Sequence, residues 1–160
     1  SDEMILRRVP LPIQDILHFA LDEVKVTASS RDLQLVLAFR EDSTLVHVDP
    51  EKTKLALVNI LNNAIRFSPE KSELTIGAIE QGKQVMVWVQ DRGEGIPVEK
   101  LQKVFEEFYQ IEPPNTRQHG GLGIGLTIAK GIIEAQGGSI WAESEGKGRG
   151  STFKVLLPKA

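Results

Sequence analysis

The stretch Asn59–Ser68 reads NILNNAIRFS and lies inside a longer run, EKTKLALVNILNNAIRF (residues 51–67), whose apolar residues recur at helical spacing. Asparagine is a mediocre helix former because its amide competes for nearby backbone groups. Asn59, Asn62 and Asn63 together cost about 2 kcal/mol in propensity against alanine. On a helical wheel, Leu57, Ile60, Leu61, Ala64 and Ile65 fall on one broad side. Asn59, Asn63 and Arg66, at i, i+4 and i+7, fall in a narrow arc on the other. Two readings of that arc are open. It is a solvated face, or its amides and cation serve one object, such as a hard cation that keeps waters and phosphate oxygens in its remaining positions. Surface positions are usually filled by cheaper helix formers such as Glu, Lys and Gln, which weakens the first reading. Asn62 lies beside the arc and has no assigned task.

Outward from this helix, Asp49 and Pro50 supply an N-cap and a first-turn proline, and Ser68-Pro69 closes the segment. Upstream, Ile13, Ile16, Leu17, Ala20, Leu21 and Val24 trace one helical face between Leu11 and Ser30. Leu33–Phe39 alternates well enough for a strand, with Leu45–Val48 as its expected short partner. Downstream, Glu73–Ile79 and Gln84–Gln90 are expected strands joined by hairpin chemistry, EQGK. The run VEKLQKVFEEF (98–108) has a short helical pattern, whereas residues 110–121, QIEPPNTRQHGG, lack periodicity and predict a mobile loop. Helical spacing resumes over Leu122–Gln136, ends at GlyGly 137–138, and gives way to strands at Ser139–Glu143 and Thr152–Leu157. Helices and antiparallel strands interleave without regular strand–helix alternation. The class is therefore α+β, a layer of helices on one mostly antiparallel sheet.

A chain of 160 residues is long enough for one domain with a core that needs no covalent staple. The absence of cysteine excludes disulfides, thiolate metal sites and thiol catalysis, and fits a reducing compartment. A formal charge of -3 argues against a general nucleic-acid binder, and no apolar run approaches the roughly 20 residues a membrane helix needs. The sequence reads as a cytoplasmic domain cut from a longer protein, with residues 1–11 as a lead-in and 12–158 as the domain.

Three glycine clusters follow the helix. DRGEGIP (91–97) places Gly93 and Gly95 after an expected strand, with Asp91 at its edge. It reads either as a tight turn with a solvated acid, or as a turn against which a ligand lies while Asp91 accepts from an amine. GGLGIGL (120–126) sits where the loop becomes a helix, either for close packing or with backbone amides directed at an anion. GRGSTF (148–153) reads by itself as a hairpin.

Taken in order, NILNNAIRFS, DRGEGIP, FEEF, GGLGIGL and GRGSTF resemble the boxes of the sensor histidine kinase ATP-binding domain. That domain belongs to the superfamily shared with DNA gyrase, heat-shock chaperones and mismatch-repair ATPases, and the resemblance spans about Pro12 to Pro158. It implies a two-layer α/β sandwich of the Bergerat type, with ATP and Mg²⁺ as cofactors. It also implies Asn63 as the Mg²⁺ ligand with Asn59 in support, and Arg66 at the phosphates. Asp91 would bind the adenine amino group over a turn shaped by Gly93 and Gly95. Phe105 and Phe108 match the aromatic box, and Gly121, Gly123 and Gly125 the phosphate-facing glycines. Gly148, Gly150 and Thr152 match the last box, on the adenine side. Ile96, Leu122 and Leu126, the apolar residues within these boxes, join the nucleotide-binding set.

Superfamily members that activate water resemble one another in carrying Glu four residues before the metal asparagine. Here that position is Asn59, which is no base. This fits an imidazole acceptor, already nucleophilic at pH 7. Many family lids read F-x-x-F-Y-R; here Gln110 takes the place of that arginine, with Arg117 as a substitute later in the segment. His18, His47 and His119 all lack the context of a phosphoacceptor motif, although His119 lies beside the lid glycines. The resemblance therefore implies a partner phosphoacceptor and dimerisation domain, and a response regulator receiver domain later in the pathway. A nucleotide-binding regulator without transfer activity and a hydrolytic ATPase are the competing readings.

Overall fold

Apolar periodicity sorts the chain into two layers. The computed structural model describes residues 4–40, 44–106 and 125–160. Its elements are β1 (Val9–Pro12), α1 (Ile13–Ser30), β2 (Gln34–Ala38), β3 (Leu45–Val48), α2 (Pro50–Phe67), β4 (Glu73–Gln81), β5 (Gln84–Asp91), α3 (Gly125–Ala135), β6 (Ser139–Glu143) and β7 (Ser151–Pro158). Five strands form one sheet in the order β2-β4-β5-β7-β6, antiparallel except for the parallel β2–β4 pair. The expected class, helices on one face of a mixed and mostly antiparallel sheet, is what the chain adopts.

Period two decides which face of each strand meets the helices. In β5 the residues Val85, Val87, Val89 and Asp91 are buried, and in β7 Ser151, Phe153, Val155 and Leu157 are buried. α1 contributes Ile16, Leu17 and Val24 to the same core, and α2 contributes Leu57, Ile60, Leu61 and Ile65. Each such fully buried aliphatic side chain contributes about 1.5–3 kcal/mol. On the opposite sheet face, Trp88 covers its cross-strand partner Gly77 so closely that a Cβ there would lie 2.0 Å from the indole. The β4–β5 hairpin turns through Gly82 at φ +64°, as its two-residue loop demands.

Two expectations are corrected. Strand β3 does not pair with β2; it pairs antiparallel with β1, from Val9↔Val48 to Pro12↔Leu45. β2 instead takes β4 as a parallel partner, with α2 lying between them in the chain. The segment read as a lead-in supplies β1, the Arg7 N–H that donates to Asp49 Oδ2 at 2.8 Å, and the Arg8 guanidinium that donates to the His47 carbonyl. The packed part of the chain therefore starts before residue 12. Second, in 98–106 the expected helix is two separate 3-10 turns, Val98–Lys100 and Lys103–Phe105. The tighter turns still bury Val104 and Phe105, so the apolar spacing was genuine but the helix type was not.

A buried polar knot fastens the end of α3 to the start of α2. Gln136, 1% exposed, accepts from the Asp49 N–H at 2.6 Å and donates to Thr53 Oγ1 at 3.0 Å. Asp49 in turn caps α2, accepting from the Lys52 N–H at 2.9 Å. Gln136→Leu removes both partners from buried groups and is expected to cost about 2 kcal/mol. Urea unfolding checks this; an unchanged midpoint contradicts the account.

Candidate functional site

The helical wheel holds in three dimensions. Asn59, Asn63 and Arg66 are half-buried on one side of α2, Asn62 is exposed, and the apolar set faces the core. Asn59, however, is already engaged: its Nδ2 donates to the Gly125 carbonyl at 3.1 Å, at the first residue of α3. Asn59 thus ties two helices together.

Asp91 ends β5 on the helix-facing side and is 4% exposed. Its carboxylate accepts from the Gly93 N–H (2.8 Å) and the Ser151 N–H (3.2 Å) at Oδ1, and from the Ser151 hydroxyl (2.7 Å) at Oδ2. Burial raises its pKa above the usual carboxylate value; the Ser151 hydroxyl and the two backbone N–H groups oppose that rise without cancelling it. A carboxylate has about four acceptor positions, and three are used here by described residues. One position on Oδ2 is left, suited to a single N–H of an incoming ligand.

The glycines around Asp91 are set by how closely backbones approach. A Cβ at Gly93 would lie 2.5 Å from the Phe67 carbonyl at the end of α2, and one at Gly95 would lie 2.1 Å from the Gly146 carbonyl. A Cβ at Gly150 would lie 2.3 Å from the carbonyl of Asp91 itself. The 91–97 loop is thereby pressed between α2 and the 144–150 loop. The Gly150 N–H donates to the Gly93 carbonyl at 3.0 Å, and the Gly148 N–H to the Glu94 carbonyl. Ile96 is buried, and its N–H donates to Ser144 Oγ at 3.0 Å, which donates to the Gly150 carbonyl at 2.7 Å. The turn of DRGEGIP is tight, as its first reading has it, but its acid is buried and not solvated.

Phe105 is 7% exposed and packs edge-on to Phe153, with ring centroids 5.9 Å apart. Its carbonyl accepts from Thr127 Oγ1 at 2.7 Å. Leu126 is buried in the same core. Thr152 stands apart from the acid. Alternation along β7 places it on the face opposite Asp91, beside Trp88 and Gln90, and its neighbour Ser151 is the residue that reaches the acid. Gly148 (φ +79°) lies in the loop docked on 91–97. Phe108, Arg117, Gly121, Leu122 and Gly123, together with Gln110 and His119, lie outside the described residues.

Ser151, Ser144, Thr127 and Gln136 were missed. Only Ser151 carried a usable sequence signal, since it alternates with Phe153 on the core face. Among the described residues no three His, Cys, Asp or Glu side chains gather to cage a metal. A neutral amide such as Asn63 fits Mg²⁺ only where phosphate oxygens and waters complete its shell, so the donor set matches a metal carried with a nucleotide.

Residues 48–160 match the family described as histidine kinase-, DNA gyrase B-, and HSP90-like ATPase, and the chain belongs to it. The family is one of ATPases, so ATP is the nucleotide its fold receives. Among curated proteins the chain is similar to the sensor histidine kinase WalK of Bacillus subtilis (strain 168), 35% identical over 160 residues, covering 99% of this chain and 26% of that protein. It is also similar to the adaptive-response sensory kinase SasA of Synechocystis sp., 33% identical, covering 93% of this chain and 38% of that protein. The chain thus spans well under half the length of these relatives. The fold matches that of the mycobacterial sensor histidine kinase MprB, with a TM-score of 0.83 at 22% identity, covering 96% of this chain and 98% of that one. It also matches full-length ShkA solved with AMPPNP, with a TM-score of 0.86 at 24% identity, covering 100% of this chain and 33% of that one.

Proposed function

We propose that this domain binds Mg–ATP between α2 and the 91–97 loop and transfers its γ-phosphoryl group to a histidine on a phosphoacceptor domain. The observation that carries the reading is the Asp91 carboxylate, buried and held by three hydrogen bonds with one acceptor position left over. That position suits the amino group of adenine. Asn63 would then hold Mg²⁺ through its amide oxygen, and Arg66 would face the phosphates from the same side of α2. Bound Mg²⁺ neutralises charge on the phosphates.

In the transfer, the bond between the γ-phosphorus and the β,γ-bridging oxygen breaks, and a phosphorus–nitrogen bond to the imidazole forms. ADP leaves and the ring's N–H proton passes to solvent. No carboxylate stands in the α2 arc to act as a base, and a neutral imidazole needs none. Catalysis is then positioning and charge neutralisation. The phosphoryl group would pass onward to a response regulator receiver domain. In support, one fold neighbour, ThkA, was solved in complex with the response regulator protein TrrA. No described helix is long and apolar enough to cross a membrane, and we place the reaction in the cytoplasm.

The test mixes the domain with Mg–ATP and the dimerisation domain of its parent protein. Acid-labile, base-stable phosphate is expected on that partner; ATP binding without such a product refutes the transfer. Asn63→Ala is expected to weaken Mg-dependent ATP binding by about tenfold or more. Equal affinity of Asn63→Ala and the parent in a calorimetric titration refutes the metal assignment.

A further inference from the structure

We propose that Thr127 is a positioning residue of the nucleotide site, its hydroxyl fixing the Phe105 backbone to the first turn of α3 while Asn59 fixes that same turn to α2. The inference rests on the nucleotide-binding reading above and goes beyond it, because neither bond touches a ligand.

The contacts form a closed circuit around the site. From α2, Asn59 Nδ2 reaches the Gly125 carbonyl at 3.1 Å. Two residues on, Thr127 Oγ1 reaches the Phe105 carbonyl at 2.7 Å. The Phe105 ring meets Phe153 edge-on at an interplanar angle of 83°. Phe153 shares its strand face with Ser151, whose hydroxyl holds Asp91 at 2.7 Å. Asp91 accepts from Gly93, and Gly93 lies against the Phe67 carbonyl at the end of α2, where the circuit began. The acid at one end of the site and the asparagine arc at the other are thus spaced through Phe105 and Thr127.

Packing alone does not call for a hydroxyl at residue 127. Valine fills the same volume, and Lys130 Nζ, one turn on, already sits 5.8 Å from the Phe105 ring centroid. The hydroxyl adds a directional bond between segments 22 residues apart. A Cβ at Gly125 would meet Asn59 only at ordinary contact distance, 3.7 Å, so it is the Asn59–Gly125 carbonyl bond and not close packing that ties this turn to α2.

Thr127→Val keeps the shape and removes the donor, and Thr127→Ser keeps the donor. With a fluorescent ATP analogue and Mg²⁺, Thr127→Val is expected to raise Kd about tenfold, with Thr127→Ser within twofold of the parent. Thr127→Ala, which also removes the donor, is expected to change Kd in the same direction, and decides the matter if Thr127→Val does not fold. A parent domain that fails to bind the analogue removes the nucleotide reading and this inference with it. A parent that binds, with Thr127→Val within twofold of it or Thr127→Ser equally weakened, overturns the positioning role alone; for an unfolded Thr127→Val, an unaffected Thr127→Ala does the same.

Discussion

Asp91→Asn is expected to leave the nucleotide-free domain folded and at least as heat-resistant as its parent, while ATP affinity falls on the order of a hundredfold. The geometry allows an amide in this place. Its oxygen accepts from the Gly93 and Ser151 N–H groups as Oδ1 does now, and its NH₂ donates to the Ser151 hydroxyl. The position left for the ligand then becomes a donor, facing the amine it should accept from. The stability half follows from burial, which raises the Asp91 pKa against its three hydrogen bonds. A folded state that holds the proton more tightly than the unfolded chain is favoured below the ordinary carboxylate pKa. It loses that advantage as pH rises from there through the raised folded value. At neutral pH the charge is therefore a net cost that the neutral amide of the variant would not bear, so the two stability–pH curves should diverge across that window. Thermal melts with and without Mg–ATP, run across pH, read both halves. A variant that melts well below its parent, or binds ATP equally well, contradicts the account.

Gly150→Ala is expected to cost about 3 kcal/mol or more and to lower the melting temperature by roughly 10 °C. Gly150 stands at φ +71°, where any other residue is strained, and an added methyl would lie 2.3 Å from the Asp91 carbonyl and 3.2 Å from Arg92 Cα. The neighbours are backbone atoms of Asp91 and Arg92, so the 91–97 loop itself has to move. Gly82→Ala is the control: its φ is +64°, but nothing lies within 4 Å, so only the conformational term of about 1 kcal/mol applies. Equal melting temperatures for the two variants would show that close approach contributes nothing at Gly150.

What could be read before the structure was mostly local. Helix α2 was legible because Asp49, Pro50, Ser68 and Pro69 punctuate a single apolar period, and each agrees with the others. β1 was hidden by two prolines in four residues, which lower strand propensity and suit only a short ribbon outside the main sheet. β3 was given the wrong partner because a short connection suggests a hairpin, whereas pairing was decided by residues far upstream. In the candidate site, the unusual residue types at Asn63, Asp91 and the glycines were visible in the sequence. The neighbours that give those glycines their purpose did not, since Gly95 meets Gly146 and Gly150 meets Asp91 only after the chain has folded back. Asn59 shows the same limit: its place on the wheel was plain, and the carbonyl it binds lies 66 residues away.

The pairing of β5 with β7 carries a consequence for biosynthesis. The Asp91↔Ser151 pair closes a span of 60 residues, and the strand that supplies Ser151 is made after every other element of the sheet. A growing chain can assemble α1, α2 and the β4–β5 hairpin well before that, since such contacts form early and locally. Until β7 docks, Asp91 has neither the Ser151 hydroxyl nor its N–H. A nascent chain therefore completes the hydrogen-bond set of Asp91 only after β7 has emerged and docked, so a ligand that needs this acid fixed in place is captured late in the folding of the sheet.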